Sequence, residues 1–248
     1  RAGRYNGTKR IWNNRKLIEF YDMIKEIYKV QSIKKELCKE WLLYKHYAKR
    51  MPMAVEYSFG LYNNKILQGV CVYGPTAPPV PITLYGEVGK YKIRELTRLV
   101  VNDNLPKNTL SFFVSQTFNL LPKPMTLISF ADSNNGHHGY IYQATNWGFF
   151  GNGGGKTIIT DAKGNKIHNI TITDRCKVEK LNRKEYFKKH NLKEIEAKPK
   201  FRYLYFLGNK KQKKRMKKDL LLKQLKYPKG QNTNYDTSYK TTTQTELF

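Results

Sequence analysis

The chain has 248 residues, 40% of them hydrophobic, and carries 46 lysines and arginines against 19 acids, a formal charge of +27. That apolar content suffices for a packed domain, and no apolar run reaches the ~20 residues that a membrane-spanning helix needs. So large a positive excess goes beyond lysine-rich surface composition and implies a polyanionic partner. Nucleic acid comes before a membrane surface, because no predicted helix combines a basic face with a Trp/Phe/Leu face.

Residues 1–14 read as a basic arm. "RKLIEFYDMIKEIYKV", 15–30, has apolar residues at Leu17, Phe20, Tyr21, Ile24, Ile27 and Tyr28, which is helical spacing. Ser32 is an N-cap candidate for a second helix, 33–50, closed by Pro52. "AVEYSFGLY" and "KILQGVCVYG" predict an antiparallel hairpin around Asn63-Asn64, followed by a proline-rich loop over 74–81. "YKIRELTRLVV", 91–101, is a strand carrying Arg94, Glu95 and Arg98. A helix follows over 109–121, with Leu110, Phe113, Val114, Thr117 and Leu121 on one face. "MTLISFAD", 125–132, is a strand ending at Asp132, and 138–147 a short helix.

A crossover helix between strands 91–101 and 125–132 makes them parallel. The fold class is therefore α/β (α+β), and ligands in such sheets bind beyond the carboxyl ends of the strands. Beyond Gly155 the chain predicts a hairpin turning at Gly164-Asn165, a strand over 201–208 and a helix over 209–227 with Met216, Leu220, Leu221 and Leu225 inward. Between Lys198 and Lys229 stand 13 Lys or Arg and one acid, Asp219. The last 18 residues, with six threonines, predict disorder.

Cys38, Cys71 and Cys176 form neither a CxxC pair nor a zinc pattern, which suits buried thiols in a reducing cytoplasm. "GNGGGKT", 151–157, has Phe150 where a phosphate loop needs its first glycine, so it reads as a flexible hinge. Asp132 is the only charged residue between Lys123 and Lys156. It stands at the ligand edge of the sheet, and also where a carboxylate would cap a following helix. Asp132, His46 and His137 are the residues that would serve a metal, iron or zinc by ligand type; a hydrogen-bonding or capping role is the alternative.

"SFAD…GHHGYIYQATNW", 129–147, resembles the signature of the Mom family of bacteriophage DNA-modification proteins. "HYAKRMP" (46–52), "ELTRLVV" with Arg98, "GNKIHNITITD" and "KPKFRYLYFLGNKKQKK" follow that family's order over roughly residues 41–228. The resemblance implies a GNAT-like mixed sheet flanked by helices and an enzyme that adds a carbamoylmethyl group to N6 of adenine in double-stranded DNA. It further implies protection from restriction in the cytoplasm of a bacterial host. Its implied catalytic set is Asp132, His46, Tyr47, Arg98 and Tyr142. Its implied cofactor is acetyl-CoA or a related acyl donor, at Asn104, Lys107, Asn108, Thr109 and Ser111, where a helix N-terminus would hold a pyrophosphate. The glycine-rich Q/RxxGxG/A loop of ordinary GNAT enzymes is absent from this chain.

Lys210, Lys211, Lys213, Lys214 and Arg215 are the candidate phosphate contacts. The organisation expected is an arm and helix (1–40), a catalytic core (41–155), a basic part that completes the domain and contacts nucleic acid (156–230), and a disordered tail (231–248). The competing readings are a non-catalytic DNA- or RNA-binding protein, and an acyltransferase acting on a protein or small molecule.

Overall fold

The computed structural model describes residues 22–153, 157–167, 169–230 and 238–242. Among them runs a mixed seven-stranded sheet in the order β1-β2-β3-β4-β5-β10-β6. The strands are β1 (Tyr28–Ser32), β2 (Tyr57–Asn63), β3 (Ile66–Gly74), β4 (Ile93–Val101), β5 (Met125–Ala131), β6 (Gly148–Gly153) and β10 (Lys200–Leu207). Every neighbouring pair is antiparallel except β4 and β5. That exception follows from the crossover predicted between them, which is helix α2 (Thr109–Leu120). The α/β class, a mixed sheet flanked by helices, is thus the one expected.

Alternation along the strands divides the core between two faces. Cys71, Tyr73, Leu127 and Tyr203 point to one face, where α2 and α3 (Tyr140–Ala144) supply Phe112, Phe113 and Tyr142. Val70, Val72 and Val100 point to the other and meet Cys38, Trp41 and Leu42. Further along that second face, Ile128, Leu204 and Phe206 meet α1 (Pro79–Tyr85) and α6 (Lys210–Lys218) through Leu84, Tyr85 and Met216. The connection from β6 to β10 carries a second, three-stranded sheet of β7 (Thr157–Thr160), β8 (Lys166–Ile167) and β9 (Lys193–Glu196). Helices α4 (Asn169–Glu179) and α5 (Arg183–Lys189) pack on it around Ile159, Ile172 and Tyr186.

Several expectations are corrected. Helix gives way to strand at Tyr28, where pairing with β2 replaces the predicted last turn; of the predicted 15–30 helix, 22–27 are helical and 15–21 lie outside the described residues. The predicted 33–50 helix shortens to a 3-10 turn, Lys35–Cys38, and a π-helical turn, Trp41–Lys45. Its apolar spacing at Cys38, Trp41 and Leu42 is nonetheless the buried stripe. The proline-rich loop runs into helix α1, because proline is tolerated in a first turn, where an N–H has no partner to lose. A run of β-branched residues, Ile170 to Thr173, disguises α4, whose "NITIT" reads as strand. The last helix stops at Lys218: Met216 is buried, whereas Leu221 and Leu225 are exposed. Of the stretch read as a glycine hinge, 151–153 belong to β6 and Thr157 opens β7, while 154–156, like the arm at 1–14, lie outside the described residues. Within the tail, residues 238–242 are packed against residues 40–45.

Candidate functional site

Strands β4 and β5 pair only at Ile93, Arg94 and Glu95. From Leu96 onward β4 keeps its partner β3 but leaves β5. At the parting point the Ser129 hydroxyl, 2.8 Å from the Leu96 carbonyl, takes the place of a ladder bond. The wedge that opens is a cavity of about 630 Å³. Residues from both faces of the sheet line it: His46 and Tyr47 arrive from the π-turn side, and Tyr142 of α3 with Asn108 and Ser111 at the start of α2 from the other. The gap therefore passes through the sheet.

Four of the predicted residues meet here. His46, 3% exposed, follows the π-turn, and its Nδ1 accepts from Ala48 N at 3.0 Å, which leaves the proton on Nε2. Burial, with help from Arg98 and His137, lowers its pKa to about 3, so it is a neutral imidazole in ordinary buffers. The Tyr47 ring lies against it, tilted by 31° at 4.3 Å between ring centres, and meets His137 edge-on at 5.2 Å. Arg98 donates to the Thr97 carbonyl (2.7 Å), while its buried Nε has no hydrogen-bond partner among the described residues. The Tyr142 hydroxyl lies 2.7 Å from Ser129 Oγ, and burial pushes its pKa up, which keeps it protonated.

Asp132 does not line the cavity; it follows Ala131, which does. Its Oδ1 accepts from Asn134 N at 3.1 Å, the capping role, and its Oδ2 lies 3.5 Å from Lys200 Nζ. The uncharged stretch around it in the sequence therefore does not leave this carboxylate unpaired, because β10 brings a lysine to it. No three or more His, Cys, Asp or Glu among the described residues are arranged to hold a metal ion. His46 Nδ1 and both Asp132 oxygens are already engaged, so the Asp132, His46 and His137 set offers iron no site among them.

Two residues that sequence reasoning did not single out as site residues line the cavity: Glu95 and Lys200. Glu95 sits where β4 and β5 part. Burial raises its pKa to about 7 against the opposing pull of Arg98 and Lys200. Its signal in the sequence was an acid within an otherwise apolar and basic strand.

Of the predicted cofactor residues, Asn108 and Ser111 line the cavity, and Asn104, Lys107 and Thr109 do not. Asn108, at φ 70°, makes no side-chain cap to α2. The Thr109 hydroxyl beside it is buried and has no hydrogen-bond partner among the described residues. Asn108 and Ser111 at the uncapped start of α2, with Arg98 across the cavity, form a lining that fits a phosphate-bearing molecule.

None of Lys210, Lys211, Lys213, Lys214 and Arg215 lines the cavity. Helix α6 starts beyond Leu207, which pairs with Met125 at the end of β5 remote from Asp132.

Residues 27–229 match the Mom protein family. The chain belongs to that family. A curated family relative, methylcarbamoylase mom of Escherichia phage Mu, is 28% identical over 211 residues, 81% of this chain and 83% of that protein. Among solved structures the chain superposes on the IAA acetyltransferase from Bacillus cereus ATCC 14579, with a TM-score of 0.43 and 13% identity over 73% of this chain and 99% of that one. A Bacillus subtilis acetyltransferase in complex with CoA gives a TM-score of 0.41 at 13% identity and the same coverage. No helix of the described residues is long and apolar enough to cross a membrane.

Proposed function

We propose that this Mom family chain is a transferase that attaches a carbamoylmethyl group to N6 of adenine in double-stranded DNA, with an acyl-CoA-type donor, and so shields the DNA from restriction in a bacterial host's cytoplasm. The observation that carries this reading is the through-sheet cavity with a near-neutral carboxyl group at its apex. It offers one face to a donor and the other to an acceptor. A protein that only binds nucleic acid has no use for such a gap. The phage Mu relative is named a methylcarbamoylase, which supports group transfer; the group in that name is joined through a carbonyl carbon, whereas a carbamoylmethyl group is joined through a methylene carbon, so the name supports the class of reaction and not the identity of the group.

An acyl-CoA thioester by itself would deliver an acyl group through its carbonyl carbon, with the CoA thiol leaving. A carbamoylmethyl group bonds to N6 through its methylene carbon, so the donor that delivers it must present that carbon to the amine with a leaving group on it. Asn108, Ser111 and the first amides of α2 would hold its phosphates, and the Arg98 guanidinium would face negative charge that develops in the cavity. The N6 lone pair is delocalised into the purine ring, so the amine must lose a proton as its bond to carbon forms. Glu95, with a pKa of about 7, is matched to accept that proton. Tyr142 stays protonated and can donate to the departing group. A base can reach these residues only after leaving the stack, and Tyr47 with His137 offers aromatic surface for it.

The test is mass analysis of nucleosides from DNA of cells that express the protein. A modified deoxyadenosine is expected from the parent, and a yield lower by about 10²–10⁴-fold from Glu95→Gln, the usual worth of a positioned base. Unmodified nucleosides from an abundant, folded parent would refute the reading.

A further inference from the structure

The π-helical turn that delivers His46 is held by a distant part of the chain. A π-turn is rare, occurs mostly as a single turn and is frequent at functional sites. Its closing bond, His46 N to the Trp41 carbonyl at 2.9 Å, ends the turn at the residue that enters the cavity. Any change of pitch in the turn therefore rotates the imidazole.

Residues 238–242 engage this turn at three points. Lys45 is 4% exposed, and its ammonium donates to the Tyr239 carbonyl at 2.9 Å while it lies 5.6 Å from the centre of the Trp41 ring. A buried ammonium demands acceptors, so this bond ties the turn to the tail. The Tyr239 ring stacks on Tyr44 at 5.2 Å and 25°. Glu40 Oε1 accepts from Tyr239 Oη at 3.2 Å, Thr242 N at 2.8 Å and Thr242 Oγ1 at 3.2 Å. Glu40, Tyr44 and Lys45 thus bracket the turn, and about 200 residues of sequence separate them from their partners.

We propose that Tyr239 is a positioning residue: together with Thr242 it clamps the turn Trp41–Lys45 and thereby fixes the orientation of His46 in the cavity. The clamp acts through the turn and touches neither substrate nor the reacting atoms. Its relevance to turnover rests on the cavity being the site of transfer, but its effect on His46 does not.

The experiment compares Tyr239→Ala, Tyr239→Phe and Glu40→Ala with the parent, because Glu40→Ala breaks the same contact from the opposite side. The histidine side-chain ¹H–¹⁵N spectrum is read first, with His46 assigned by His46→Gln among the five histidines. In the parent, His46 shows the fixed Nε2–H pattern and stays neutral well above its pKa of about 3. The groups facing it are Arg98 from β4, His137 after β5 and its neighbour Tyr47. In Tyr239→Ala and Glu40→Ala the two tautomers should average, and the titration should move toward the ordinary histidine value of about 6.5. Tyr239→Phe keeps the stack and should resemble the parent.

On modified-nucleoside yield, the alanine variants should lower kcat by about tenfold and leave KM for DNA within about twofold, the signature of misplacement rather than weakened binding. If the His46 signal and titration are the same in both alanine variants as in the parent, the clamp is refuted, whatever the yield does. If the parent makes no modified nucleoside, the transferase reading fails while the spectrum still decides the clamp.

Discussion

At the scale of single residues, two carboxylates near one cavity have been given different work by their surroundings. Asp132 is bound to a backbone amide, an asparagine side chain and Lys200, so its geometry is fixed and its charge is compensated. Glu95 is buried against a guanidinium without a full partner set and has a pKa of about 7. Glu95 can change protonation during turnover near neutral pH. The rate of transfer should therefore rise with pH through about 7 as Glu95 deprotonates. Asp132→Asn keeps the cap, because asparagine also accepts from the N–H two residues on, and removes only the pairing with Lys200. It should lower the rate and retain the limb near 7, whereas Glu95→Gln should abolish the limb. A profile whose limb disappears in Asp132→Asn and survives in Glu95→Gln would exchange the two roles.

At the scale of elements, local pattern was readable and long-range assembly was not. The β2–β3 hairpin and the β4–α2–β5 crossover follow from spacing and turn residues, and with them the parallel pair whose divergence makes the cavity. His46, Tyr47, Arg98 and Tyr142 could be named because they lie in the motifs that carry the family resemblance. Lys200 could not, because it enters from β10, about 70 residues beyond Asp132, and only sheet order brings them together. The π-turn was hidden because its apolar stripe at 38, 41 and 42 is the same in an ordinary helix.

Helix α6 shows what composition can and cannot place. Its capping box of Asn209 and Gln212 and the buried Met216 make it a real helix, with seven cations in nine positions. Yet it packs on the far end of the sheet. A duplex whose base enters the cavity would have to extend along the sheet to meet it. Glutamine at Lys210, Lys211, Lys213 and Lys214 should flatten the plot of log K against log salt by up to about 0.9 for each phosphate that is no longer neutralised. Affinity should fall by a similar factor on every DNA sequence. An unchanged slope in a filter-binding or anisotropy titration would move the phosphate track to the cations nearer the rim, Lys49, Arg50 and Lys198.

At the scale of the whole molecule, the cavity places two titrations of opposite sign in one fold. His46 has a folded pKa of about 3, below its ordinary 6.5, so the unfolded chain takes up the proton first as pH falls. Its contribution to stability is complete above 6.5 and is lost progressively as pH falls toward 3. Glu95 has a folded pKa of about 7, above its ordinary 4.5, so its contribution is complete below 4.5 and is lost as pH rises through 7. Between 4.5 and 6.5 the two slopes oppose each other, and the parent should show a nearly flat melting temperature there. Glu95→Gln removes one slope and leaves the other, so its melting temperature should fall by roughly 5–10 °C between pH 6.5 and 4.5. The repulsion among 46 cations grows as acids protonate, but it acts on both proteins alike and cancels in the comparison. Scanning calorimetry of the two proteins at matched salt measures the difference directly. Parallel melting curves across that window would mean that Glu95 and His46 are more hydrated than their burial in the cavity wall implies, and the near-neutral carboxyl group on which the transfer chemistry depends would go with them.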